Sequence, residues 1–215
     1  MNSTDTTTAA TGTAAGTGRL AVGARAPGLT EAVTMTGAAP PVLGRSGRSV
    51  VLKFYRFANC PLCNLHLHSW VVRAAEVKAA GLVPVAVFHS PVRALREQLQ
   101  QGAAVPFDVI ADPDKRLFRA YGVEESLAGM LHARVAADNM RALRAGYRSM
   151  LPFGHEGGIR GHPADFLVDP DGIVRLAHYG ADYADTLDVD TVLNAARDLL
   201  PAPPPGPAPR PAGRT

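Results

Sequence analysis

Large apolar side chains fall into a few short segments of this 215-residue chain, and those segments decide where a core can form. Hydrophobic residues make up 47% of the sequence, but 36 of them are alanine, and aromatic residues are only 6%. Two of the richest segments are β-branched runs, residues 49–57 (SVVLKFYRF) and residues 82–88 (LVPVAVF). Between them, residues 62–80 contain no Gly or Pro and stop at Gly81, which suits a helix closed by a glycine C-cap. Apolar runs alternating with helical stretches point to an α/β fold.

The pattern continues along the chain. Ser90 and Pro91 suit the N-cap and first position of a helix running to about residue 101. Residues 107–110 read as a short strand, and Asp112-Pro113 opens a helix ending near Gly122. Residues 124–145 read as a longer amphipathic helix, with Leu127, Met130, Leu131, Val135, Met140 and Leu143 recurring at spacings of three and four. A glycine-rich loop follows at 146–162. Residues 164–168 and 173–177 flank Asp169-Pro-Asp-Gly172, turn chemistry of the hairpin kind, and 188–200 close the body as a helix. The expected order is β-β-α-β-α-β-α-α-β-β-α, a single α/β layer system.

The two ends differ from the body. Residues 1–18 are almost all Thr, Ala, Gly, Ser and Asn, and residues 201–215 hold 7 of the 18 prolines. Neither can bury enough apolar surface to offset its ordering entropy, so both read as disordered tails around one domain at 19–200. The net charge of +3 gives a basic pI of about 9.1. Arg210 and Arg214 supply +2 of it and Asp5 cancels Arg19, so the body carries about +1 with interspersed signs. That is no phosphate-tracking face, and a nucleic-acid partner is not expected. Residues 1–23 lack a basic n-region and a continuous apolar h-region, and no run approaches the roughly 18–20 apolar residues of a membrane span. The expectation is a cytoplasmic protein without a membrane partner.

Chemistry concentrates at the only two cysteines, Cys60 and Cys63, in Asn59-Cys-Pro-Leu-Cys-Asn64. They stand between a buried strand and the first turn of a helix. Pro61 suits the first helical position, where no backbone N–H is needed. The Cys60 sulfur then lies beside free N–H groups at the positive end of the helix dipole, where a thiolate is stabilised. A fall in thiol pKa from about 8.5 to about 7 raises the reactive fraction at pH 7 from roughly 3% to roughly half. Cys63 lies one turn on, so the sulfurs can meet in a disulfide after modest adjustment. A structural staple explains the pair poorly, because closing so short a loop removes little unfolded-state entropy. Two inert buried thiols are the other alternative, and the strand–turn–helix context argues against them.

The residues around this site resemble a known family. Residues 50–70 (VVLKFYRFANCPLCNLHLHSW) are similar to the active-site segment of peroxiredoxin-like proteins of the alkyl hydroperoxide reductase/thiol-specific antioxidant (AhpC/TSA) family. Residues 111–123 (ADPDKRLFRAYGV) and 163–172 (PADFLVDPDG) resemble the same family in the same order, so the likeness covers about residues 20–200. It implies a thioredoxin-like fold with a central mixed sheet flanked by helices. It also implies an antioxidant thiol oxidoreductase, and the sequence signals no flavin, haem or nucleotide, so no cofactor is expected. The substrate would be a hydroperoxide or a disulfide, and the external reductant a thioredoxin-like protein or a low-molecular-weight thiol. A homodimer stays open.

Residues 159–163 (IRGHP) resemble the thioredoxin segment ending in a cis-proline that faces the cysteines. On that likeness Pro163 is expected to be cis, and the His162 backbone to meet an incoming disulfide or peptide. Asn59, Pro61, His162 and Pro163 are thus the expected substrate-binding positions, and Cys60, Cys63 and Arg160 the expected catalytic ones. Arg160 and Arg56 are the candidate cations for stabilising a thiolate or a leaving oxygen. Arg56 reads rather as a solvated side chain, its direction depending on strand register.

The departures from the family matter too. Phe57 stands three residues before Cys60, where the family carries a Thr or Ser whose hydroxyl orients peroxide, and the proline that begins that loop is missing. Cys-Pro-Leu-Cys also resembles the Cys-Pro-x-Cys sites of glutaredoxins and periplasmic oxidants, which favours dithiol exchange. His66 and His68 follow at a spacing that invites a metal. On a helix they point about 160° apart, so one surface and one packed histidine are expected. A copper or zinc site at Cys60 and Cys63, completed by His155 or His162, is the alternative from a different class. A redox-regulated interaction module without catalysis is the third. Trp70 is expected to pack its helix on the sheet.

Overall fold

In the computed structural model, which describes residues 18–45, 47–99, 104–123, 133–147 and 161–200, the first apolar run becomes the central strand of the sheet. A two-residue strand, β1 (Val33–Thr34), precedes it; the run itself is β2 (Ser49–Tyr55), buried along its whole length. Next come α1 (Pro61–Val72), α2 (Ala74–Ala79), β3 (Leu82–Phe88), α3 (Val92–Leu99) and β4 (Asp108–Ala111). The chain continues through α4 (Arg116–Ala120), α5 (Ala133–Arg144), β5 (Ala164–Val168), β6 (Val174–Tyr179) and α6 (Val189–Leu199). The sheet has the order β1-β4-β3-β2-β5-β6. β2 pairs in parallel with β3 and antiparallel with β5, which makes the sheet mixed, with helices flanking it, in agreement with the α/β expectation. The tails lie outside the described residues apart from Gly18, as do residues 124–132, His155 and Arg160.

Side chains alternate across β2. Val50, Leu52 and Phe54 join Val85, Val87, Ile110 and Phe166 on one face, where Phe54 meets Phe118 and Tyr121 with both ring centroids at 5.1 Å. Val51, Lys53 and Tyr55 point to the other face. There Val51, Trp70, Val77, Leu82, Leu167 and Val192 form one cluster, so Trp70 does pack α1 on the sheet. Lys53 is the exception in this apolar strand. It is 2% exposed and paired across strands with Asp165, itself 1% exposed. The Lys53 ammonium also donates to Thr186 Oγ1 and the Leu187 carbonyl, and the Trp70 ring lies over it at 4.6 Å. Burial pulls its pKa below the ordinary value, and the Asp165 carboxylate pulls back.

Several expected elements shift. The helix expected over 62–80 breaks at Arg73, whose guanidinium bonds both Glu76 and Asp190 near the start of α6. Tertiary contact there overrides a helix-compatible sequence. Ser90 does not cap α3; its Oγ accepts from the Ala58 N–H instead, at 3.0 Å. The helix expected to open at Asp112-Pro113 begins instead at Arg116, after Lys115, and Asp112 caps it from outside by accepting from the N–H groups of Arg116, Leu117 and Phe118. In α5 the buried positions are Val135, Asp138 and Ala142, and Met140 and Leu143 are exposed. Residues 135, 138 and 142 share a face that 140 and 143 leave. The hairpin turn forms as expected. Asp169 Oδ1 accepts from the N–H groups of Asp171 and Ile173, and Gly172 takes a left-handed φ of 82° against Gly44.

Removing one partner of the Lys53–Asp165 pair strands a buried charge. Asp165→Ala is expected to cost about 3–5 kcal/mol in chemical denaturation, while Lys53→Met combined with Asp165→Leu costs less than that single change. Equal losses for the single and double variants would contradict the role given to the pair.

Candidate active site

β2 ends at Tyr55 because the pairing that holds it ends there, Tyr55 opposite Phe88 and Phe54 opposite Ala164. The chain then turns within five residues into α1. The Cys60 N–H donates to the Phe57 carbonyl at 3.0 Å, closing that turn. The Ala58 N–H is held by Ser90 from the end of β3, and the Ala58 carbonyl accepts from Asn64 Nδ2 at 2.9 Å. Cys60 is the N-cap of α1, extended at φ −68° and ψ 116°, with Pro61 as first helical residue. Its sulfur accepts from the Cys63 N–H at 3.4 Å, as a capping oxygen does in other helices.

The second charge at the sulfur is Arg56. Its Nη1 lies 3.8 Å from Cys60 Sγ, and the residue is 7% exposed, so it is not the solvated side chain expected from sequence. The guanidinium lies over the Tyr183 ring, its carbon 3.6 Å from the ring centroid. Tyr183 lies in the loop between β6 and α6, and the His162 ring meets it edge-on at 5.5 Å. His162 Nδ1 is 2.9 Å from the Gly180 carbonyl, which can only accept, so that nitrogen donates.

These contacts divide the two thiols. Burial pushes the Cys60 thiol up. The hydrogen bond from the Cys63 thiol, the Arg56 charge and the N–H groups of Cys63 and Leu62 outweigh it and hold the pKa at about 7. Burial pushes Cys63 well up, and the neighbouring Cys60 sulfur pushes it further. The pair therefore sets a thiol that ionises near neutral pH beside one whose ionisation is strongly disfavoured, the difference that thiol–disulfide chemistry at one of two sulfurs requires. Both cysteines are free and buried.

The other expected residues take varied places. Asn59 is 8% exposed, and its Oδ1 has no hydrogen-bond partner. Pro163 lies at the head of β5, where its carbonyl accepts from the Gly180 N–H at 2.9 Å. Its peptide bond is trans, which corrects the expected cis-proline; most X–Pro bonds prefer trans by about 0.5–1 kcal/mol. Arg160 lies outside the described residues. His66 is partly buried and His68 exposed. No group of three His, Cys, Asp or Glu side chains converges among the described residues, and no described helix is long and apolar enough to cross a membrane. Phe57 is buried beside Arg56 and offers no hydroxyl to the site. Sequence reasoning missed Tyr183 and the Ser90 tether, which arise only from tertiary contact.

The description of the AhpC/TSA family matches residues 40–177. No curated protein matches the chain. Solved structures of similar fold include a peroxiredoxin-like protein from Aquifex aeolicus, at TM-score 0.60 and 19% identity over 84% of this chain and 88% of that one. Peroxidoxin BcpB from Mycobacterium tuberculosis is similar at TM-score 0.60 and 18% identity, over 83% and 97%. Reduced Prx3 from Vibrio vulnificus, in complex with H2O2, is similar at TM-score 0.60 and 23% identity, over 82% and 98%.

Replacing Arg56 by Met removes the cation and keeps the apolar stem. The Cys60 titration midpoint is expected to rise by about one unit, so the thiolate fraction at pH 7 drops from about half to about a tenth. Thiolate ultraviolet absorbance reads this directly, and an unchanged fraction would remove Arg56 from the site.

Proposed function

The chain belongs to the AhpC/TSA family, and we propose that it is a thiol-dependent hydroperoxide reductase with Cys60 as nucleophile and Cys63 as resolving thiol. The observation that carries the reading is the Cys60 sulfur at the head of α1, in contact with Arg56 and one turn from Cys63. The Cys60 thiolate attacks the terminal oxygen of ROOH, the O–O bond breaks, and RO⁻ leaves and takes up a proton as ROH. Cys60 is left as a sulfenic acid. Arg56 supports the thiolate before the attack and faces the charge that grows on the leaving oxygen.

Cys63 then attacks the sulfenic sulfur, closing a Cys60–Cys63 disulfide and releasing water. Two electrons from an external thiol, a thioredoxin-like protein or a small thiol, restore the dithiol. Asn59, Pro61, His162 and Pro163 are the proposed substrate-facing positions. The His162 imidazole faces Tyr183, which adds a side-chain role to the backbone role expected for that residue.

A second reading has its own support. Phe57 puts an apolar ring where the family carries a hydroxyl that orients peroxide. With that contact gone, exchange with a protein disulfide uses the same two sulfurs: Cys60 forms the mixed disulfide and Cys63 resolves it.

One equivalent of H2O2 is expected to convert the reduced protein to an intramolecular disulfide about 2 Da lighter. Cys63→Ser should stop at a sulfenic acid trapped by dimedone, and Cys60→Ser should consume no peroxide. Turnover intact in Cys60→Ser would overturn the nucleophile assignment. A protein inert to peroxide that still reduces insulin disulfides would select exchange.

A further inference from the structure

As the second thiol of that cycle, Cys63 must pass through a thiolate in a place where charge is costly. It is 5% exposed and belongs to a core cluster with Tyr55, Leu62, Leu67 and Val135. In the reduced protein its thiol hydrogen bonds to the Cys60 sulfur. Once Cys60 carries a hydroxyl its sulfur is no longer an anionic acceptor, and Cys63, on ionising, needs a donor of its own.

The fold places one there. Cys63, Leu67 and Trp70 share the buried face of α1, and Lys53 and Tyr55, two residues apart, share one face of β2. The Trp70 ring lies over Lys53 at 4.6 Å, so α1 runs back over β2. Cys63 is two turns from Trp70 towards the head of the helix, and Tyr55 is two residues from Lys53 towards the end of the strand. The first turn of α1 thus stands over Tyr55. The Tyr55 ring is fixed by stacking on Phe88, with centroids at 5.0 Å and an interplanar angle of 21°. The residue is 2% exposed, and its hydroxyl has no hydrogen-bond partner. An unpaired buried donor is uncommon and costly in a native core. A phenol proton beside a sulfur that must become an anion is half of a charge-assisted hydrogen bond.

We propose that the Tyr55 hydroxyl donates a hydrogen bond to the Cys63 sulfur whenever that sulfur is a thiolate, and so sets how fast the Cys60–Cys63 disulfide closes and reopens. The inference rests on the dithiol cycle. On closing, the S–S bond forms as the Cys60 S–O bond breaks. The departing hydroxide takes the proton that Cys63 gave up and leaves as water. On reopening, a reductant thiolate attacks the Cys60 sulfur, and the S–S electron pair leaves on Cys63. A second reductant thiol then releases Cys60, so that the reductant leaves as its disulfide. Tyr55 keeps its proton throughout, since burial, with the charges of Asp165 and Cys63, holds its pKa well above the ordinary phenol value.

The charged and titratable groups facing Cys63 are Cys60, Arg56 and Tyr55. Behind Tyr55 lie Lys53 and Asp165. One turn up α1 is His66, faced by Asp138 and Arg141 of α5. Of the two donors that β2 supplies, Lys53 is committed to Asp165, Thr186 and the Leu187 carbonyl, which leaves the Tyr55 hydroxyl at the end of the strand under the first turn.

Tyr55→Phe removes an oxygen that bonds nothing in the reduced protein, so thermal stability should be kept or raised. With H2O2 in stopped flow, the Cys60 sulfenic acid is expected to form at the wild-type rate. Its conversion to the disulfide should slow at least about tenfold, dimedone-reactive protein should accumulate, and the pH profile of closing should move to higher pH. Closing at the wild-type rate with the wild-type profile overturns the proposal. In the Cys60→Ser background, Tyr55→Phe should raise the Cys63 alkylation midpoint by about one unit, and a fixed midpoint also overturns it. If the wild-type protein forms neither sulfenic acid nor disulfide, the dithiol cycle itself fails; equal rates in both proteins remove Tyr55 alone.

Discussion

Lys53 and Asp165 face each other across β2 and β5 at the centre of the sheet, and the site is assembled from their contacts outward. Asp165 accepts from Thr186 and from the Leu187 N–H, and Lys53 donates to the Leu187 carbonyl. These bonds fix the far end of the loop that joins β6 to α6. The near end is fixed by the Gly180 N–H on Pro163, and Gly180 has no room for a side chain, since a Cβ would stand 2.4 Å from the Asp185 carbonyl oxygen. Held at both ends, the loop lays the Tyr183 ring against Arg56, and Arg56 meets the Cys60 sulfur. A buried ion pair seldom adds much net stability over an apolar pair. Here it fixes the position of a loop that carries a wall of the site.

The cysteines show how local geometry divides two identical groups. Both are buried, and burial alone raises both thiol pKa values. Cys60 gains the helix head, the Cys63 thiol and Arg56. Cys63 gains little and pays for the charge beside it. In the proposed cycle one sulfur attacks at neutral pH, and the other stays neutral until the first has reacted. A dithiol with two equal pKa values would lack that order of events.

The sequence made the most local parts legible. A strand of apolar residues, Pro61 at a helix start and cysteines three apart place the Cys60 sulfur at N–H groups without any tertiary information. The rest depends on contacts between distant segments. Arg56 lies one residue beyond the last paired position of β2, so its direction follows from where pairing with β3 and β5 stops. Ser90 fits a helix cap locally, but the Ala58 N–H needs an acceptor in a buried turn and takes it. β1 is too short at two residues to carry any periodicity, and it exists because β4 offers an edge. Likeness to thioredoxins suggested a cis bond at Pro163, and the trans bond found there shows that the chain enters β5 without that turn.

The central claim is that Cys60 is ionised near neutral pH because of where it sits. The alkylation rate of Cys60 in the reduced protein, followed by peptide mass spectrometry across pH, tests it most directly. The account predicts a single rise with its midpoint near 7, with Cys63 unreactive over the same range. A Cys60 midpoint at or above about 8.5, the value of a free thiol, would contradict it.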